Sequence, residues 1–308
     1  MRGKRDFSKF KQGINLSQYA ASVGYEIDRK KSTRSSVAMR HPNGDKIIIS
    51  RRGTNWVFFS VQDETDNGTI VDFIAKRTGK SIGEIGQELD GWLGGAVTPP
   101  EPGSFAREVS EQVYDRERVK RVFHYAKPIS SHAYLEEARK ISRAVLSDPR
   151  FAGRLFTDRY GNVVFPHHDH TGLCGLEIKN QDAGFLVRGS EKGLWTSRIS
   201  KKDTGLVIAE GGIDALSYHD LFRPENTGYA AISGAMREKQ FGLVMDLISR
   251  MENLEIIVLA VDHDEGGDRI GDKLQGAIES KGTFKGTIQK HTPERTGADW
   301  NDELKAIR

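Results

Sequence analysis

The chain has 308 residues but only one cysteine, Cys174. A single cysteine cannot form an internal disulfide, and it excludes zinc sites built from several cysteines. The sequence also lacks a run of about 18 apolar residues, and its basic N-terminus lacks the apolar core of a signal peptide. We therefore expect no membrane span or membrane partner, and a cytoplasmic location.

Acidic residues are scarce at the N-terminal end. Residues 1–60 contain 13 Lys and Arg against 4 Asp and Glu, although the net charge of the whole chain is only +3. A basic segment of this density is typical of a surface that contacts a phosphate backbone. A solvated basic surface without a partner explains the same composition equally well.

The first 96 residues predict a small α+β domain. DKIIISRRGTNWVFFSV contains two β-rich runs around a turn, which indicates a hairpin. Helices are expected over residues 70–78 and about 81–93. VTPPEPGSF, at residues 97–105, contains three prolines and favours neither helix nor strand, so we assign residues 97–112 to a linker.

Residues 113–203 predict a second α+β subdomain. Residues 113–147 show helical spacing of apolar side chains, whereas residues 155–196 alternate with period two around turn sequences. We expect helices followed by a small antiparallel sheet.

Residues 204–308 alternate between apolar strands and helices. The expected strands are 206–210, 229–233, 256–262 and 286–291, and the expected helices are about 213–222, 237–251 and 267–280. Apolar strands alternating with helices indicate a parallel sheet covered on both faces. The fold class is therefore α/β, with a Rossmann-like C-terminal domain.

Carboxylates follow the strands of this predicted sheet. Glu210 ends the first strand and Asp214 follows it, Asp262 and Asp264 follow the third, and a further pair follows the fourth, Asp299 and Asp302. In open α/β sheets, functional groups gather at the carboxyl ends of the strands. We expect these acids to meet at one edge of the sheet.

A cluster of carboxylates there predicts a divalent cation. Adjacent carboxylates repel one another unless a cation neutralises them, and oxygen atoms are the ligands that Mg²⁺ prefers. Each acid taken alone is explained as well by helix N-capping. The spacing of the whole set favours metal binding, with Mg²⁺ or Mn²⁺ as the cofactor.

Four segments of this region resemble the signature sequences of the Toprim family, in the same order: VIAEGGIDALS, AAISGA, VLAVDHDEGGDRIGDKL and GADWNDEL. The family includes bacterial primases, topoisomerases and nucleases. The resemblance implies that Glu210 is a catalytic acid or base near the metal and that Asp262 and Asp264 bind it. Asp214, Asp299 and Asp302 are supporting metal ligands by the same resemblance.

The upstream sequence is similar to bacterial-type primases, particularly primase-like Toprim proteins of plasmids and mobile elements. YLEEARKIS, NVVFPHHDHTGLCGLEIKN and KGLW carry this resemblance. Residues 1–96 resemble the primase zinc-binding domain, but the zinc ligands are missing. Only His41 stands near a ligand position, and Ser60 and Asp63 stand roughly where cysteines are expected.

Primer synthesis on single-stranded DNA from nucleoside triphosphates is the leading hypothesis that the resemblance implies, with plasmid or phage DNA replication as its setting. A nuclease that cleaves phosphodiesters and a non-catalytic nucleic-acid-binding adaptor are the alternatives. The sequence ends soon after the Toprim-like segment, so a replicative helicase or a relaxase is expected as a separate partner.

If the N-terminal domain binds nucleic acid, its basic residues and one aromatic side chain are the candidates. They are Arg29, Lys30, Lys31, Arg34, Arg51, Arg52 and Trp56. Stacking of bases on Trp56, Phe58 or Phe59 is one reading of the aromatic residues. Core packing is the favoured alternative for all three.

The segment His167-His168-Asp169-His170 has the composition of a metal site. Alternation along a strand sends neighbouring side chains to opposite faces, so all four cannot meet at one ion. We expect a polar strand end.

The missing ligands predict that the purified protein carries no structural zinc. Elemental analysis of protein prepared without chelators should give far less than one zinc per chain. One tightly bound zinc per chain would overturn the expectation that this domain lacks zinc.

Overall fold

The computed structural model describes residues 6–63, 65–95, 109, 113–181, 183–234 and 236–308. Most of the predicted linker at 97–112 lies outside these residues. The chain divides into two compact units, Met1–Val113 and Tyr114–Arg308. Within the described residues, no helix is long and apolar enough to cross a membrane.

The N-terminal unit is an antiparallel sheet covered by short helices. Its strands follow one another in the order β1-β2-β3-β4-β5. The strands are β1 Glu26–Ile27, β2 Ser36–Arg40, β3 Lys46–Arg52, β4 Asn55–Ser60 and β5 Asn67–Gly68. The helices are α1 Ser8–Gly13, α2 Leu16–Ser22, α3 Ile70–Thr78 and α4 Ile82–Leu93. The predicted hairpin is thus β3 and β4, and the two predicted helices are α3 and α4.

Arg77 is the polar centre of this unit. Its guanidinium donates to Asp45 at 2.8 Å, to Asp66 at 2.7 Å and to the hydroxyl of Tyr25 at 2.7 Å. It also lies 4.2 Å from the centre of the Phe73 ring. These contacts tie the β2–β3 turn, the β4–β5 loop and α3 together.

The C-terminal unit begins with an antiparallel sheet in the order β10-β9-β8-β7-β6. Its strands are β6 Lys127–Pro128, β7 Phe156–Thr157, β8 Val163–Asp169, β9 Gly172–Lys179 and β10 Gly184–Leu186. Its helices are α5 Arg116–His124 and α6 Arg143–Leu146, with a π-helical turn at Tyr134–Ala138. The helical region expected over 113–147 is therefore broken, and Lys140 in a left-handed conformation, with φ of 58°, separates the π-turn from α6.

The remaining sheet has the order β11-β13-β12-β14-β15, and only the edge strand β11 is antiparallel to its neighbour. The strands are β11 Trp195–Thr196, β12 Gly205–Ala209, β13 Thr227–Ala231, β14 Ile256–Ala260 and β15 Thr287–His291. The helices are α7 Gly212–Phe222, α8 Glu238–Arg250, α9 Glu265–Lys281 and α10 Trp300–Ile307. The mixed α/β fold with a mostly parallel C-terminal sheet is confirmed.

Helices cover both faces of this sheet. Val207 and Ala209 of β12 pack on one side with α7 and α10, whereas Leu206 and Ile208 pack on the other with α8 and α9. The central strands β12 and β13 are buried on both sides along their whole length, which explains the continuous apolar sequence of β12.

Replacing Arg77 with methionine should destabilise the N-terminal unit by about 3 kcal/mol, because Asp45 and Asp66 then lose their shared cation in a largely buried site. Urea unfolding followed by circular dichroism measures the change. Arg52→Met, which removes an exposed arginine from the same unit, should change stability by less than about 0.5 kcal/mol. Equal effects of the two substitutions would contradict this role of Arg77.

Candidate active site

Strand register brings the predicted acids to one edge of the parallel sheet. Ala209, the last residue of β12, pairs with Ala260, the last residue of β14. Glu210 comes directly after Ala209, Asp262 comes two residues after Ala260, and a Glu210 carboxylate oxygen accepts a hydrogen bond from the Asp262 backbone N–H at 3.1 Å. Two acids 52 positions apart in the sequence therefore meet beyond the ends of adjacent strands.

The loop after β15 is attached to the same edge. The backbone N–H of His263 donates to Ala298 O at 3.0 Å, and that of Gly297 donates to His263 O at 2.6 Å. These bonds hold the start of α10, with Asp299 and Asp302, close to Asp262.

Helix α9 approaches this edge so closely that only glycine fits at position 267. A Cβ atom there would lie 2.2 Å from the backbone oxygen of Asp262. Asp264 caps the same helix, since its Oδ1 accepts from the Gly267 N–H at 2.8 Å. The glycine after the second acid thus lets the helix start directly behind Asp262.

The pKa values show that the carboxylates affect one another. Burial, and then the charges of Glu210, Asp299 and Asp264, raise the pKa of Asp262 to about 7. Burial, followed by the charges of Asp299, Asp262 and Glu210, raises the pKa of Asp214 well above its usual value. Burial also raises the pKa of Glu210. Without a cation, this edge favours protonated carboxyl groups.

Three of the predicted ligands have partners within the protein. Asp264 caps α9, and Asp299 caps α10 by accepting from the Asp302 N–H at 2.6 Å. Asp302 pairs with Lys305 at 2.6 Å, and this contact lowers its pKa. Helix capping therefore describes the contacts of Asp264 and Asp299, and an ion pair describes the contact of Asp302.

Among the described residues, no three histidine, cysteine, aspartate or glutamate side chains are arranged to hold a metal ion. The residues nevertheless fit a divalent cation. Asp262 Oδ1 is buried without a hydrogen-bond partner among the described residues, and the raised pKa values indicate a deficit of positive charge. The metal site stays a prediction, with carboxylate oxygens as its donor set.

A second polar group, which the sequence did not reveal, borders this edge. Ser233 follows β13 in a left-handed conformation, with φ of 60°. Its hydroxyl donates to Glu177 at 2.7 Å and lies 2.9 Å from Nε2 of the fully buried His167. The next residue, Gly234, donates its N–H to Glu210 O at 3.0 Å. Because Ser233 is far from Glu177 and His167 in the sequence, no local sequence pattern predicts these contacts.

Lys192 joins the same group through Ser233, whose backbone oxygen accepts from its ammonium at 2.7 Å. Burial, and then the charge of Arg237, lower the pKa of Lys192 to about 8. Lys192 of the KGLW segment is therefore largely buried, and it binds the loop of Ser233 and Gly234, which contacts Glu210.

Three residues of the histidine-rich segment, His167, Asp169 and His170, have separate surroundings. His167 lies beside Ser233, Asp169 binds Arg116 and Lys239, and His170 lies 3.0 Å from Asp246. These partners lie in different parts of the unit, in agreement with the expectation of a polar strand end.

In the N-terminal unit, the position of Trp56 corrects its assignment as a nucleic-acid-binding residue. Only 5% of its surface is exposed, and the Arg51 guanidinium lies 5.1 Å from its ring centre. A base cannot stack on a ring that the core covers. Phe58 is also buried, whereas Phe59 is 44% exposed.

The basic candidates of that unit lie at or near its surface. Arg29, Lys30, Lys31, Arg34 and Arg52 are exposed, and Arg51 is half-buried. Their binding of nucleic acid stays a prediction.

Asp262→Asn should stabilise the metal-free protein at pH 8 and change it little near pH 4. The pKa of Asp262 in the folded protein is raised to about 7 from the ordinary aspartate value of 3.8, so the wild type loses stability as the pH rises through this interval. Thermal unfolding in EDTA across this range measures the effect. Glu252→Gln, at an exposed acid ahead of β14, is the control. A wild type that is more stable than Asp262→Asn at pH 8 would contradict the crowding of carboxylates.

Two family matches cover most of the C-terminal unit. Residues 133–203 match a family described as "Protein of unknown function (DUF3991)". Residues 207–304 match the family described as Toprim-like. The second match spans Glu210, Asp262 and Asp264.

A curated relative and two solved structures resemble longer parts of the chain. An uncharacterized pXO2 protein of Bacillus anthracis is 26% identical over 290 residues, covering 85% of this chain and 79% of that protein. The primase fragment of the bacteriophage T7 primase-helicase protein matches with a TM-score of 0.40 and 15% identity, over 82% of this chain and 88% of that one.

A DNA primase domain from Pseudomonas aeruginosa matches with a TM-score of 0.36 and 15% identity, over 50% of this chain and 52% of that domain. This chain therefore spans about half of its length. The Toprim signature segments, the mostly parallel sheet and the family match agree, and residues 207–304 form a Toprim-like domain.

Proposed function

We propose that this protein transfers phosphoryl groups on nucleic acid in a metal-dependent reaction, as a primase-like nucleotidyltransferase that makes primers on single-stranded DNA from nucleoside triphosphates. The observation that carries the proposal is the crowding of Glu210, Asp214 and Asp262 at the carboxyl edge of the Toprim-like sheet. Crowded acids with raised pKa values are a mark of functional sites.

In this proposal, Asp262 and Asp264 hold Mg²⁺ or Mn²⁺, with Glu210 beside them. A bound divalent cation would lower the pKa of an attacking hydroxyl and neutralise charge on the phosphates. Asp214, Asp299 and Asp302 add negative charge around these ligands. The caps that Asp264 and Asp299 provide fix the starts of α9 and α10.

Glu210 is the proposed proton acceptor for the attacking 3′-hydroxyl. Burial and the charges of Asp264 and Asp299 raise its pKa, which makes it a better base than an exposed glutamate. The hydrogen bond from the Asp262 N–H fixes one of its oxygen atoms, and the other remains for substrate.

The exposed cations of the N-terminal unit would supply part of the affinity for single-stranded DNA. A separate replicative helicase or relaxase would then be the partner that brings the protein to its template.

Asp262→Asn and Glu210→Gln should each lower ribonucleotide incorporation by about 10²–10³-fold, because each removes a charged group that acts in the transition state. The assay combines protein, single-stranded DNA, labelled ribonucleotides and Mg²⁺ or Mn²⁺, and resolves the products on a gel. Glu252→Gln, which removes an exposed acid ahead of β14, should keep full activity.

The same gel decides between the proposed activity and its alternatives. Shortened DNA without extension, abolished in Asp262→Asn, would replace primer synthesis by nuclease activity. DNA binding with neither extension nor cutting would favour an adaptor that kept the fold. Incorporation that survives in both acid variants would contradict the assigned residues.

A further inference from the structure

Two arginine side chains and one histidine lie beside the edge strand β11, outside the carboxylate site. Arg198 follows β11 and donates its Nε–H to Ala152 O at 2.8 Å. Arg154 lies two residues after Ala152, and its backbone oxygen accepts a hydrogen bond from the indole N–H of Trp195 at 2.7 Å. His168, near the end of β8, exchanges two backbone hydrogen bonds with Leu194, at 2.9 and 3.0 Å. We call Arg154, Arg198 and His168 the β11 cationic cluster.

Their charges act on one another. Burial, and then the charge of Arg198, lower the pKa of Arg154. Burial, and then the charge of Arg154, lower the pKa of His168. Arg154 therefore stands near both of the other members.

The guanidinium of Arg154 has no hydrogen-bond or carboxylate partner in the described part of the chain, although it is half-buried. Its neighbour Arg150 differs sharply, because Asp203 binds that guanidinium through two contacts of 2.6 and 2.8 Å. Arg116, also in this unit, is paired with Asp169 and Glu191. These two arginines of the unit therefore have counter-charges, whereas Arg154 has none in the described part of the chain.

A half-buried cation without a partner lowers stability, and neighbouring cations increase that cost. An anion bound there would remove it. The planar guanidinium fits two oxygens of one phosphate, with two parallel hydrogen bonds. Phosphate is also the group that both substrates of the proposed function carry.

We propose that the β11 cationic cluster binds a phosphate of single-stranded nucleic acid. This choice of ligand rests on the proposed function. The cluster borders the sheet that carries the carboxylates, since Trp195 of β11 pairs with Ala231 at the end of β13. Because β11 is antiparallel to β13, Arg198 lies three residues, about 10 Å, from Trp195 in the direction away from the carboxyl edge, and an extended ligand such as a nucleic-acid strand is needed to contact both places.

Binding of a fluorescein-labelled oligothymidylate, measured by anisotropy in EDTA over a series of salt concentrations, tests the proposal. Arg154→Gln should weaken binding about tenfold, the loss expected for one charge-assisted hydrogen-bonded contact. It should also make the salt dependence of log K shallower by about 0.7. Arg250→Gln, which removes an exposed arginine at the end of α8, should have a much smaller effect.

Stability separates a binding role from a structural one. Arg154→Gln should unfold at the same temperature as the wild type or higher, because it removes an unpaired half-buried cation. A lower unfolding temperature together with unchanged DNA affinity would overturn the proposal. Arg198→Gln, at an exposed position, repeats the binding test on a side chain whose loss leaves the core intact.

Competition with ATP identifies the source of the phosphate. If Arg154→Gln and Arg198→Gln both lose ATP binding but keep full affinity for the oligonucleotide, the cluster binds free nucleotides. That result would overturn the nucleic-acid assignment. The assay needs neither metal nor turnover. An inactive protein whose DNA binding still depends on Arg154 would therefore refute the proposed function and leave this inference standing.

Discussion

Electrostatic repulsion among carboxylates is the constraint around which the C-terminal domain is organised. The parallel register that pairs Ala209 with Ala260 forces Glu210 and Asp262 into adjacent positions. Asp214 and Asp299 add their charges to the same edge. Such an arrangement is unfavourable at neutral pH without a cation, and Asp262 Oδ1 is buried without a hydrogen-bond partner among the described residues.

The surrounding structure makes this crowding tolerable. Backbone N–H groups at the starts of α9 and α10 bind Asp264 and Asp299, so part of the negative charge is stabilised by helix ends. Gly267 allows α9 to reach the backbone of Asp262. On the β13 side, the buried group of His167, Glu177 and Ser233 holds the loop that contacts Glu210. The site is therefore supported by elements from both sheets of the C-terminal unit.

Much of this could be predicted from the sequence, because strands buried on both faces leave continuous apolar runs. The strands and helices of residues 204–308 and the placement of Glu210 and Asp262 at strand ends followed from that pattern. Helical spacing over 113–147 was misleading, since Lys140 in a left-handed conformation interrupts it. The boundaries of the four predicted segments, 1–96, 97–112, 113–203 and 204–308, remain predictions, and so do the roles of the individual acids.

Tertiary contacts could not be predicted, because their partners are far apart in the sequence. Ser233 and His167 are 66 positions apart, and Arg77 meets Asp45 from 32 positions away. Trp56 was a candidate stacking surface until the structure placed it in the core. The unpaired state of Arg154 is likewise visible only when the surroundings of its guanidinium are known.

The central claim is that Glu210, Asp262 and Asp264 share a divalent cation. Titration of the protein with Mn²⁺, followed by electron paramagnetic resonance of the free ion, measures this directly. The account predicts saturable binding in the wild type, displacement by Mg²⁺, and binding at least tenfold weaker in Asp262→Asn. Equal Mn²⁺ binding by the wild type and Asp262→Asn, or none by either, would contradict it.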